Sequence, residues 1–251
     1  NILNRQIRYR IERLLLRTLK KNNIVRVDMD RCVNPLGFSF DKGGWHCLVE
    51  YLRQIEKNPT VPISKSIIYL YHKTYQPQSM SDLVRAAGMM TSFDPGFFRY
   101  PWGNFKVDFH HSQPEKERST SRFCGPSVDE FIKKEAHQII KLRDKIKHDG
   151  GYNPWKFPNT FIGGVFLKMK NGDYRFVVLQ GNHRVSVMSY LGTNRFVARF
   201  LPNHYPYIDE DSIDEWYYVK NEMCSRDDTK KYFDSFFILN GSERAQSLHL
   251  I

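Results

Sequence analysis

The sequence predicts an α/β fold of the α+β kind, and three observations carry that reading. Apolar residues recur every three or four positions in several segments before residue 89, the mark of amphipathic helices. Two apolar runs flank Asn171-Gly172, the mark of a hairpin. The stretch YRFVVLQGNHRVSVMSYLG, residues 174–192, changes from a strand-like to a helix-like pattern at a glycine. With 251 residues, the chain can bury a full core as one large domain, or as one domain with an appendage. The expected division is a helical region with an irregular loop over 1–124, then an α/β domain with a C-terminal helical extension over 125–251.

Each element has its own signal. Residues 2–21 place Ile7, Ile11, Leu14, Leu15 and Leu19 on one helical face, with basic residues from Arg5 to Lys21 around it. Two readings stay open for this helix. It packs on its own domain with a solvated basic face, or it lies on an anionic membrane surface or along a nucleic-acid backbone. Ile24, Val25 and Val27 read as a short strand. Leu48, Leu52 and Ile55 form a helical stripe that Asn58-Pro59 ends. A second helix is capped by Ser64 and stopped by Pro77, and a third starts near Ser79 or Ser81 and ends at Gly88. Residues 89–124 have no sustained period, and their aromatic residues indicate a packed loop. Within that loop Asp108, His110 and His111 are a weak metal-ligand set, because no spaced third ligand accompanies the adjacent histidines.

From Gly125 the pattern is regular. Ser127 resembles a cap, and Phe131, Ala136, Ile139, Ile140, Leu142 and Ile146 keep helical spacing up to Gly150-Gly151. The hairpin follows, with Asn171-Gly172 as a two-residue turn. A short helix ends at Gly192, NRFVARF reads as a strand, and Ser225 starts a further helix.

Composition narrows the partners. Aromatic content of 14% excludes disorder over most of the chain. A net charge of +11 favours anionic partners without choosing among nucleotides, sugar phosphates, nucleic acid and acidic membranes. Cys32, Cys47, Cys124 and Cys224 are scattered, which suggests thiols in a reducing compartment rather than a zinc site or a disulfide framework. The expected location is cytoplasmic, with peripheral membrane contact if the 2–21 helix lies on a bilayer.

The turn Gln180, Gly181, Asn182, His183, Arg184 carries the chemistry. A strand that passes through glycine into a helix presents unpaired backbone N–H groups and the positive end of a helix dipole. Gly181 allows close approach, Arg184 offers a planar donor fork that matches phosphate, and His183 can move a proton near neutral pH. Together they make a candidate phosphate cradle. The competing structural reading is a helix start with a satisfied histidine and a paired arginine.

LQGNHRVSVMSYLG resembles the G-x-H-R-x-x-A-x-x-x-L-G core of the ParB/sulfiredoxin-like superfamily, and the resemblance covers about residues 125–200. The pieces GPSVDEF, GGYNP and YFDSFF resemble, more loosely, members associated with surface-polysaccharide genes. The resemblance implies nucleotide phosphates at Gly181, His183 and Arg184, with ATP or CTP as cofactor and Mg2+ alongside. Two departures narrow it. Asn182 stands where sulfiredoxins carry their nucleophilic cysteine, which argues against their chemistry. After residue 200 the sequence shows one aromatic loop and about one helix, too little for the helix-turn-helix module of DNA-binding ParB proteins.

A phosphotransferase also needs a carboxylate to align or deprotonate the acceptor. Glu130 is the first candidate and Glu135 the second, while acidic residues in a first turn also simply favour the helix dipole. The leading expectation is a nucleotide-dependent, kinase-like phosphotransferase acting on a small hydroxyl compound such as a sugar of a surface glycan. The alternative is a ParB-like nucleic-acid-binding protein or nuclease.

Overall fold

The computed structural model describes residues 24–77, 98–103, 106–107, 123–156, 161–201 and 206–251. The basic helix expected over 2–21, the helix expected near Ser79 or Ser81, and Asp108, His110 and His111 lie outside the described residues.

The fold is α/β: helices pack around a mixed six-stranded sheet. Its strands are β1 (Ile24–Asp28), β2 (Cys32–Val33), β5 (Gly163–Lys168), β6 (Tyr174–Gln180), β7 (Arg195–Phe200) and β8 (Tyr207–Asp209). The spatial order is β1-β7-β5-β6-β2, with β8 beside β5. A separate ribbon joins β3 (Phe98–Arg99) and β4 (Lys106–Val107). Residues on both sides of position 124 share the main sheet. β1 runs antiparallel to β7, with Val25 opposite Ala198, and β2 runs parallel to β6, with Cys32 opposite Phe176.

The β5–β6 hairpin is the centre of this sheet. Side chains alternate across a strand. Val165, Leu167 and Val177 therefore enter one core cluster, and Phe166, Phe176 and Val178 enter another. Burial on both faces explains why the segment reads as apolar runs rather than as clean alternation. The turn differs from the expected two-residue form. Met169 N–H bonds to Asp173 O (2.9 Å) and Gly172 N–H to Met169 O (2.9 Å), so Lys170, Asn171 and Gly172 form a three-residue loop. Only Gly172 takes a positive φ, 92°, which suits a three-residue loop and not a two-residue loop with both residues left-handed.

Seven α-helices lie among the described residues: α1 (Cys47–Lys57), α2 (Ile67–Thr74), α3 (Asp129–His148), α4 (Asn182–Tyr190), α5 (Tyr217–Lys220), α6 (Arg226–Ile238) and α7 (Ser242–Ser247). α1 and α3 both pack on α4, and α2 packs on α1 and α3. Two caps differ from expectation. Residues 63–65 form a 3-10 turn, so Ser66 rather than Ser64 caps α2, its hydroxyl accepting from Tyr69 N–H at 3.4 Å. Val128 precedes α3, and the Ser127 hydroxyl meets His72 Nδ1 at 3.0 Å instead of the helix backbone. Ser225 caps α6 as expected.

The aromatic loop is packed where it is described, in the same core cluster as α1, α2 and α3. Tyr100 is fully buried and stacks on Trp102 with ring centroids 4.8 Å apart, and Trp102 meets Trp216 and Phe233 edge-on. None of the four cysteines forms a disulfide. Among the described residues, no helix is long and apolar enough to cross a membrane.

Close backbone approach sets one residue of the hairpin. A Cβ on Gly164 would lie 2.1 Å from Val177 O, the carbonyl of the paired strand. Gly164→Ala is expected to cost about 2–3 kcal/mol by overpacking, read as a lower urea midpoint with unchanged slope. A variant as stable as the parent would show that β5 and β6 do not approach this closely.

Candidate functional site

β6 passes into α4 through Gly181, whose φ of 92° lies in the left-handed region. An added Cβ there would fall 2.9 Å from both the Arg184 guanidinium and Ile162, so glycine is required on two grounds. The first intrahelical bond runs from Val185 N–H to Gly181 O (3.0 Å). The N–H groups of the first turn therefore stand outside the helical ladder, at the positive end of a nine-residue helix.

This turn forms one wall of a cavity of about 550 Å3. The whole expected set, Gln180, Gly181, Asn182, His183 and Arg184, lines it. The opposite walls come from α1, α2 and α3, which supply His46, His72 and Glu135, and from Asn34 after β2. Phe38, Leu48 and Leu179 add apolar surface.

His183 and Glu135 meet in this cavity. Nε2 of His183 lies 2.7 Å from Oε2 of Glu135, across 48 residues of sequence. The Glu135 side chain is 12% exposed, while that of His183 is 31% exposed. A buried carboxylate on one imidazole nitrogen fixes the ring orientation and puts the proton on Nε2. Nδ1 is then the nitrogen available to accept a proton.

The other expected residues are placed differently. Glu130 is exposed in the first turn of α3. Its neighbour Asp129 pairs with Lys73 Nζ (2.7 Å), and the Lys73 hydrogen bond holds its carboxyl below the usual range. Arg184 is only 8% exposed. It lies against Gly181 with Tyr152 beside it, and burial pulls its pKa down from the free value. It thus places positive charge beneath the turn rather than reaching outward. Asn182 donates Nδ2–H to Val178 O at 3.2 Å and so ties the turn to β6.

Three lining groups escaped the sequence reading: Asn34, His46 and His72. His46 caps α1, its Nδ1 accepting Leu48 N–H at 3.3 Å, and its ring stacks on Phe40 with centroids 4.3 Å apart. A histidine just before an apolar helical stripe was the available signal. Burial pushes the His46 pKa down to about 3 and that of His72 to about 4. Cys47 also lines the cavity, but burial pushes its thiol well above the usual range, which leaves it a poor nucleophile. Among the described residues, no group of three or more His, Cys, Asp or Glu side chains is placed to hold a metal.

These histidines tie stability to pH. Their folded pKa values lie below the unfolded value near 6.5, so the unfolded chain binds protons first. Stability is complete above about pH 6.5 and falls as pH drops towards 4, each histidine adding up to about 1.4 kcal/mol per pH unit. Urea unfolding across that window is expected to show the slope, and His72→Gln should remove about one proton's share of it. An unchanged slope in the variant would mean that His72 is not held neutral in the folded protein.

No family model, curated protein or solved structure matches the chain.

Proposed function

We propose that the protein is a nucleotide-dependent phosphotransferase that acts on a small hydroxyl compound. The observation that carries this reading is the opening of the β6–α4 turn onto a 550 Å3 cavity in which His183 is hydrogen-bonded to Glu135. The size is that of a small-ligand site. The turn supplies what a phosphate needs, namely helix-terminal N–H groups, the dipole and the buried Arg184 charge. The pair supplies what an acceptor hydroxyl needs, a base of fixed orientation.

In this reading His183 Nδ1 takes the proton of the acceptor hydroxyl. The hydroxyl oxygen bonds to the terminal phosphorus, and the bond from that phosphorus to the bridging oxygen breaks, releasing the nucleoside diphosphate. Glu135 acts as a positioning residue, holding the imidazole and stabilising its charged form. ATP or CTP is the donor implied by the ParB/sulfiredoxin-like resemblance, and a sugar of a surface glycan is the acceptor it suggests. Mg2+ would arrive with the nucleotide and neutralise phosphate charge. Glu135 is the one carboxylate among the described lining residues that could meet it. A cytoplasmic location, peripheral to an anionic membrane through residues 2–21, belongs to the same reading. The nucleic-acid alternative ranks second, because it draws on net charge and on residues 2–21 rather than on the cavity.

Calorimetry with ATP and CTP, each with and without Mg2+, is the first test, and one of the two is expected to bind. In a phosphoryl-transfer assay with sugar acceptors, His183→Ala should lower turnover by about 100-fold or more, the usual contribution of a general base. Glu135→Gln should lower turnover less, with KM for the nucleotide nearly unchanged. Absence of nucleotide binding under all four conditions would overturn the proposal.

A further inference from the structure

A second feature of the cavity has its own chemistry. Asn34 and His46 are 4% and 5% exposed, and both line the cavity. Asn34 Oδ1 accepts from Leu36 N–H at 2.9 Å and from Phe38 N–H at 3.0 Å, which fixes the amide orientation and makes Nδ2 the donor end. His46 Nδ1 accepts the Leu48 N–H that caps α1. A neutral imidazole accepts at one nitrogen and donates from the other, so the His46 proton sits on Nε2. Nε2 lies 3.5 Å from Asn34 Nδ2. Two N–H donors therefore face each other, and neither can satisfy the other.

Buried donors without an acceptor are costly, so paired donors in a cavity wall call for an acceptor from outside the chain. We propose that His46 Nε2–H and Asn34 Nδ2–H form a two-donor clamp for a carbonyl oxygen of the molecule that receives the phosphoryl group. The clamp itself follows from the geometry, and only its assignment to the acceptor substrate rests on the phosphotransferase reading. A carbonyl oxygen has two lone pairs and asks for no acceptor in return, whereas a hydroxyl would need one. An anion fits less well at the clamp itself, because both donors are neutral and Phe38 and Leu48 supply apolar wall beside them. Stacking on Phe40 holds the ring in place, and burial keeps it neutral, so the donor persists at physiological pH.

The test is long-range proton–nitrogen NMR on protein labelled at histidine and backbone nitrogen. The probes are N,N-dimethylacetamide, which offers only a carbonyl acceptor, and inorganic phosphate. His46 is expected as the Nε2–H tautomer from about pH 5 to about pH 8, and the amide should move its Nε2–H signal downfield. Asn34→Asp keeps the acceptor for Leu36 and Phe38 but places an oxygen opposite Nε2. That variant should show a downfield Nε2–H without probe and no response to the amide. An Nδ1–H tautomer, a wild-type signal that ignores the amide, or an Asn34→Asp response equal to wild type would each overturn the clamp. Phosphate should instead move the backbone amides of Asn182 and His183. If those stay still while the amide probe acts as expected, the phosphotransferase reading fails and the clamp stands.

Discussion

The left-handed backbone at Gly181 is the constraint on which the rest of the structure depends. It lets the central strand of the hairpin turn into a helix without an intervening loop. The helix therefore starts directly at the C-terminal end of β6, with its N-terminal amides at a cavity rather than in bulk water. Arg184 folds back into the space that a Cβ would fill, so the absent side chain and the buried cation are one arrangement. α1 and α3 then pack on α4, and the second of these contacts brings Glu135 to His183. A left-handed residue with a side chain would cost about 1–2 kcal/mol in backbone strain alone and would also displace the guanidinium.

The electrostatics of the cavity follow from burial. The helix terminus and Arg184 supply positive potential without presenting a flexible cation. Two of the three histidines are kept neutral by desolvation and act as fixed dipoles: His72 is tied to Ser127, and His46 to the start of α1. His183 alone among them has a carboxylate partner within hydrogen-bond distance. The division of labour comes from environment rather than residue type, since one side-chain chemistry serves as cap, as core partner and as candidate base.

What was legible in the sequence was local. The strand, glycine and helix at 174–192 are contiguous, so a change of period revealed them, and the role of Ser225 was visible because a cap and its helix are neighbours. Hydrogen bonding decided the finer details. Two serines near 64 compete for one helix start, and the 3-10 turn selects Ser66. Asn171-Gly172 signals a turn, but the pairing of Met169 with Asp173 sets its length. The cavity was only half visible. Glu135 was one of two acidic candidates, and nothing in the spacing revealed that Glu130 points to solvent. Asn34 and His46 lie 147 and 135 residues before Gly181 in the turn they face, and their significance rests on which nitrogen carries a proton, a fact that depends on three-dimensional contacts.

Crystallography with a bound nucleotide tests the proposed phosphate recognition by the first turn of α4 most directly. Phosphoryl oxygens are expected at hydrogen-bond distance from the backbone nitrogens of Asn182–Arg184, with the His183–Glu135 contact retained. A nucleotide seated elsewhere, for example in the open basin beside Asp28, Lys42 and Arg195, with the α4 terminus untouched, would contradict it.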